Sequence, residues 1–222
     1  MAELKTAMLL AAGRGERLRP HTDHTPKPLI EVQGKPLLEH QLGWLAAAGI
    51  EHTVINLHHL GDQIKDFCAE RNPAKPRISF SFEAELLETG GGIVNALPLL
   101  GDQPFLLLNG DIFTDFPLTE LQPLPDWADV HLLITPTPYY REQGDFEFSN
   151  GRISSRGTGY VYCGIAILRP SLFANRAPGA FSLRDLYFRA IEQGTISAQI
   201  WEGYWIDIGT PEQLEAVNSA TR

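Results

Sequence analysis

Short apolar runs alternate with segments of three-to-four-residue period through the first half of the chain. Ala7-Met8-Leu9-Leu10-Ala11 is continuous, apolar and too short for a helix, so it reads as a buried strand. Leu38, Leu42 and Leu45 then recur at i, i+4 and i+7, one apolar helix face, with Gly49 placed to end that helix. The β-branched run at 52–56 predicts a second strand. Residues 62–71 predict a helix that buries Ile64 and Phe67, 78–82 a third strand, and 90–97 another helix. Phe105 to Leu108 is a fully apolar strand that stops at Asn109-Gly110-Asp111.

This βαβα order predicts an α/β fold: a Rossmann-like, mostly parallel mixed sheet with helices on both faces and right-handed crossovers. Ligands of such sheets bind beyond the carboxyl ends of the strands. The glycine loop after the first strand and Asp111 both lie there, so they are expected to share one cleft.

The second half is less regular. It carries a proline-rich connection over 117–125, strands at 130–135 and 160–168, and a hairpin around Asn150-Gly151. A helix follows at 183–193, then a short strand at 205–208. Thr210 is placed to cap a last helix that has Pro211 in its first turn. No repeat or linker interrupts the chain. The expectation is one domain over 1–222, in two parts of roughly 1–115 and 116–222.

The chain has 222 residues and a formal net charge of −9, which argues against nucleic-acid binding. Its two cysteines, Cys68 and Cys163, lack metal spacing and read as reduced thiols. No signal peptide or membrane-length apolar run is present, so a cytoplasmic protein without a membrane partner is expected, as a monomer or small homo-oligomer.

Against the acidic background, Ala12-Gly13-Arg14-Gly15-Glu16-Arg17-Leu18-Arg19 stands out. Small residues after a strand let backbone N–H groups approach a polyphosphate, and arginine forks match its oxygens. Lys27, between Pro26 and Pro28, sits on a stiff segment that can hold its ammonium at one point. The loop has neither the lysine of a P-loop nor the third glycine of a dinucleotide fingerprint. A solvated tight turn is the plainer reading; the Pro-Lys-Pro at this distance favours a nucleoside triphosphate site.

Two carboxylates suit a magnesium ion: Asp111, after a buried strand, and Asp207, in Trp205-Ile206-Asp207-Ile208-Gly209-Thr210. The plainer reading of Asp207 is a turn or helix cap. Thr89-Gly90-Gly91-Gly92 opens a helix and would let a base or ribose lie against the backbone. Glu83 is placed to accept a hydrogen bond from a ring N–H of that base. No side chain is an obvious nucleophile, so direct attack of one bound phosphate on another fits, with charge stabilised by Arg17, Lys27 and magnesium.

Together these motifs resemble the sugar-1-phosphate nucleotidyltransferase family. The family's opening signature appears as Gly13-Arg14-Gly15-Glu16-Arg17-Leu18 with Pro26-Lys27-Pro28, its central pair as Gly110-Asp111, and its late signature as Trp205 to Thr210. The resemblance implies a nucleotide-diphospho-sugar transferase fold, a magnesium-dependent reaction and release of pyrophosphate. Within the family the chain is most similar to the short bacterial N-acetylmuramic acid 1-phosphate uridylyltransferases, through Leu87 to Ile93, Asn109-Gly110-Asp111 and Gly144-Asp145-Phe146.

The resemblance makes Arg17, Lys27 and Asp111 catalytic. It gives UTP contacts to Lys27, Arg17 and the loop of Ala12, Gly13, Arg14 and Gly15, which with Glu83, Thr89 and Gly90 would make roughly 1–115 the nucleotide-binding part and 116–222 the sugar-binding part. Asn109, Asp145 and Gly159 become sugar contacts, and Asp111 and Asp207 magnesium ligands. Where many relatives carry a lysine before the strand at 160–168, residues 151–159 hold only Arg152 and Arg156 as cations. A carboxylate at Glu83 also suits guanine, so a guanylyl- or thymidylyltransferase acting on mannose, heptose or glucose 1-phosphate is the alternative. A catalytically idle nucleotide-sugar-binding subunit is the third reading.

Overall fold

The computed structural model describes residues 4–71, 76–174 and 176–219. Strand β1 (Thr6–Leu10) leads into a long loop and a small hairpin, β2 (Glu31–Val32) and β3 (Lys35–Pro36). Next come α1 (Leu37–Ala47), β4 (His52–Leu57), α2 (Gly61–Arg71), β5 (Arg77–Phe82) and α3 (Glu88–Leu100). β6 (Phe105–Asn109) and β7 (Ile112–Thr114) follow. The second half supplies β8 (Val130–Pro136), the hairpin β9 (Phe146–Ser149) and β10 (Arg152–Arg156), and β11 (Tyr160–Leu168). It ends with α4 (Leu183–Gln193), β12 (Ile196–Ile200), β13 (Trp205–Asp207) and α5 (Pro211–Ser219).

One nine-stranded sheet runs β5-β4-β1-β6-β11-β8-β12-β10-β9. Its first four strands are parallel; β11 is antiparallel to both β6 and β8, and β12 is parallel to β8. The second half is therefore more regular than its sequence suggested, because it supplies five strands to this sheet. Helices cover both faces. Ala7 and Leu9 of β1 share a core with Leu38, Leu42 and Leu45 of α1 and Ile64 of α2. Met8, between them, points the other way, into a core with Ile93 of α3 and Leu186 of α4. That is the period of two expected of a strand buried on both sides. A third cluster packs Leu214 and Val217 of α5 on Leu18, Phe113 and Ile206.

Helix α1 ends as the sequence proposed: Gly49 takes φ 78° and its N–H bonds to Ala46 O at 3.0 Å. Among the described residues no helix is long and apolar enough to cross a membrane.

Register decides what lies at the carboxyl edge. Leu10 pairs with Asn56 on one side and Asn109 on the other, so two amides flank the end of β1. Beyond them, a Cβ on Gly110 would lie 2.1 Å from Leu10 O. Only glycine lets β6 turn away so close to β1, which carries Asp111 out over the strand ends.

Candidate active site

The loop after β1 is built to receive an anion. Ala11 N–H donates to Asn56 Oδ1 at 2.7 Å, which fixes where the strand stops. Among the described residues, the next four N–H groups, of Ala12, Gly13, Arg14 and Gly15, make no hydrogen bond. Buried Thr22 donates its hydroxyl to Gly15 O at 2.8 Å and folds the loop back on itself. Backbone donors left free in one turn form a concave anion site. The exposed guanidinium groups of Arg14 and Arg17 flank it with no ion pair among the described residues, and Arg17 lies against Gly209. Arg19 is spent on a surface pair with Asp23, 3.3 Å away.

Lys27 reaches across the strand ends to Asp111, Nζ to Oδ2 at 2.9 Å, with only 13% of its side chain exposed. Asp111 and Asp207 come together through backbone pairing: Asp207 faces Ile112 in the β7–β13 ladder, and Ile208 N–H donates to Asp111 O at 2.7 Å. Asp207 also has a cation, Arg141, at 2.5 Å from Nη2 to Oδ2, and takes a 3.2 Å bond from Gln213 Nε2. Gln213 Oε1 accepts the N–H groups of Gly209 and Thr210, which locks the turn that presents Asp207. Arg141 lies over the Trp205 ring, 5.6 Å from its centroid.

The loop, Lys27 and Asp111 line a cleft of about 260 Å³ that takes in Ala12, Gly13, Gly15, Lys27, Glu83, Thr89, Asn109 and Asp111; Asp207, Arg141 and Gln213 lie outside its lining. A second cleft of about 160 Å³ adjoins it and shares Thr89 and Asn109. Asp145, Tyr162, Tyr187 and Arg184 form its walls. Asp145 Oδ2 accepts the Tyr162 N–H at 3.0 Å. Burial pushes both tyrosine hydroxyls up, so they are neutral donors.

Glu83 lies in the first cleft, but both its oxygens are already bonded: Oε1 accepts from Asn56 Nδ2 at 2.7 Å and Oε2 from Leu87 N–H at 3.0 Å. The glycine triplet also serves packing more than ligand contact. Cβ atoms at Gly90, Gly91 and Gly92 would lie 2.3 Å from the Phe181 ring, 2.1 Å from Gly179 O and 2.6 Å from Glu83 Oε1. The Gly90 N–H goes to Phe181 O at 2.9 Å, and Thr89 Oγ1 accepts the Leu183 N–H at 3.0 Å. Gly159 sits outside both clefts, in a turn whose N–H bonds to Glu147 Oε1 at 3.1 Å. Arg152 and Arg156 are used elsewhere, over the rings of Trp127 and Phe188.

Neither cysteine is poised as a nucleophile: burial pushes Cys68 up to about 11 and Cys163 higher still. Among the described residues no cluster of three or more histidine, cysteine or acidic side chains could hold a metal. The oxygen-only pair Asp111 and Asp207 nonetheless suits a hard cation that draws its other ligands from substrate phosphates and water. Each carboxylate already holds one positive charge, and 35% and 26% of the two side chains is exposed. Sequence reasoning missed Asn56, Arg141, Arg184 and Gln213. Asn56 alone carried a signal, as an amide near the carboxyl end of a buried strand, right after Val54-Ile55.

A nucleotidyl transferase family model matches residues 6–139. The chain is 42% identical to an N-acetylmuramate alpha-1-phosphate uridylyltransferase of Neisseria meningitidis serogroup B, over 94% of this chain and 95% of that protein. It is 36% identical to one from Caulobacter vibrioides, over 94% and 93%. The fold is similar to the crystal structure of HddC from Yersinia pseudotuberculosis complexed with GMP-PN, at 25% identity and a TM-score of 0.80, covering 96% of this chain and 98% of that one.

Proposed function

Because this chain belongs to the nucleotidyl transferase family, we propose that it transfers the uridylyl group of UTP to N-acetylmuramic acid 1-phosphate, releasing pyrophosphate. The observation that carries this reading is the run of four free N–H groups beside Arg14 and Arg17, opening into a second, sugar-sized cleft. The triphosphate lies in the loop, its β- and γ-phosphates against Arg14 and Arg17. The sugar occupies the cleft at Asn109 and Asp145. An oxygen of the sugar phosphate attacks the α-phosphorus; the bond from that phosphorus to the α,β-bridging oxygen breaks, and pyrophosphate leaves with the electron pair.

Lys27 lines the first cleft beside Asp111 and steadies the charge that gathers on the α-phosphate. Asp111 and Asp207 are the residues that would hold magnesium, which when bound would offset the phosphate charge as two anionic substrates meet. Both substrates are small soluble anions, and we place the enzyme in the cytoplasm.

The choice of uracil is supported by the two uridylyltransferase relatives, 42% and 36% identical over 94% of the chain. Glu83 adds no preference for guanine, since each of its oxygens already accepts one bond within the protein. The guanylyl reading keeps the support of the structural likeness to HddC bound to GMP-PN. The test is a matrix of nucleoside triphosphates against sugar 1-phosphates, read as pyrophosphate release. UTP with N-acetylmuramic acid 1-phosphate should give the highest kcat/KM; a GTP preference would replace this reading with the guanylyl one.

A further inference from the structure

We propose that Arg184 makes the sugar cleft selective for acidic sugars by pairing with a carboxylate carried on the ring. This rests on the reading of the 160 Å³ cleft as the sugar site. That cleft is lined by one cation, Arg184, and one acid, Asp145. They differ in what the fold has done with them. Asp145 is half-buried and fixed by the Tyr162 N–H, which leaves its other oxygen to accept from a hydroxyl or amide. Arg184 is exposed at the start of α4, its backbone N–H held by the Ser182 hydroxyl at 3.4 Å, while its guanidinium makes no hydrogen bond or ion pair among the described residues. The backbone is thus anchored and the charged head is unpaired.

On a sugar 1-phosphate with a neutral ring, the one anion such a group could meet is the phosphate itself, and that contact would serve every sugar alike. N-Acetylmuramic acid adds a second: an ether-linked lactyl arm on its ring ends in a carboxylate, the planar partner that a guanidinium fork fits. Asp145 repels that carboxylate and Arg184 attracts it, so the two charges fix which way round the sugar lies. With the lactyl arm at the exposed side, the pyranose ring reaches the Tyr162–Tyr187 pair, whose rings meet edge to face at 5.6 Å.

The experiment compares N-acetylmuramic acid 1-phosphate with N-acetylglucosamine 1-phosphate, the same ring without the lactyl arm, in wild type, Arg184→Lys and Arg184→Gln. Arg184→Gln should lower kcat/KM for the acidic substrate about 10- to 100-fold, the scale of one charge-assisted pair, mostly through KM. That loss should exceed its effect on the neutral substrate at least tenfold. Arg184→Lys should recover part of it, and melting temperatures should match wild type. Equal losses on both sugars, or none, overturn the inference. If wild type consumes no N-acetylmuramic acid 1-phosphate, the substrate assignment fails, and glucuronic acid 1-phosphate against glucose 1-phosphate decides the inference. A wild-type preference for the acid that Arg184→Gln abolishes sustains it; no such preference overturns it.

Discussion

Asn56 bridges the two sides of the 260 Å³ cleft: its amide NH₂ donates to Glu83 Oε1 at 2.7 Å while its carbonyl accepts the Ala11 N–H at 2.7 Å. With Leu87 N–H on the other oxygen, Glu83 ties β1, β4 and the start of α3 into one buried relay. Glu83→Gln puts an NH₂ where a donor already points. It should cost about 1–3 kcal/mol, lowering Tm by about 2–4 °C per kcal/mol, and raise KM for the nucleotide. A variant with unchanged Tm and unchanged KM would show that the relay is dispensable.

Asp111 and Asp207 should each be needed for turnover. Asp111→Asn and Asp207→Asn are expected to lower kcat about 10²-fold or more, the scale of lost charge stabilisation, and excess EDTA should stop the wild type. Full activity in EDTA contradicts the metal assignment.

Arg141 pairs with Asp207 through Oδ2, an oxygen that a bound cation would also draw on. Arg141→Met should tighten Mn²⁺ binding, measured by calorimetry in the absence of substrates, by several-fold, on the order of 1 kcal/mol for a partly exposed pair. Weaker binding in this variant would mean that Arg141 orients Asp207 for the metal and does not compete for it.

His131 should make stability fall in acid. Its Nδ1 bonds with Ser197 Oγ at 2.8 Å, and burial, outweighing the neighbouring Gln199 side chain, lowers its pKa to about 4. The unfolded chain therefore binds a proton between about 6.5 and 4 that the folded one refuses. Stability contributed by neutral His131 is complete above about pH 6.5 and is lost as pH falls toward 4, by up to roughly 3 kcal/mol. Urea unfolding across this range checks it; His131→Gln should flatten the slope.

Much of this was legible in the chain because strong local signals coincided with the fold's demands. Continuous apolar runs such as Phe105–Leu108 became central strands, and Gly13, Lys27 and Asp111 met at one edge because parallel strands must end together. β12 was missed: Ile196–Ile200 has polar or small residues at its three central positions, and its pairing to β8 on one side and β10 on the other makes it a strand. The glycine triplet was noticed for a different reason from the one the structure gives. Steric fit against Phe181 and Gly179, nearly ninety residues away, leaves no trace in the local sequence. Arg141 and Arg184 are ordinary loop and helix arginines until the sheet sets them beside Asp207 and Asp145.

The packing of Gly90 and Gly91 against Phe181 and Gly179 bears on how this scaffold can be re-engineered. Segment 179–187 carries Arg184 and Tyr187, so it is the natural stretch to exchange for a different sugar preference. It is not a free-standing module. Its carbonyl at Phe181 caps Gly90, its N–H at Leu183 rests on Thr89, and the Phe181 ring and Gly179 carbonyl occupy the space where side chains on α3 would project. A chimera that imports this segment alone would set foreign side chains against a helix shaped for Phe181. The transplantable unit is discontinuous, the first turn of α3 together with 179–187, and a designer altering sugar choice inherits part of the nucleotide cleft with it.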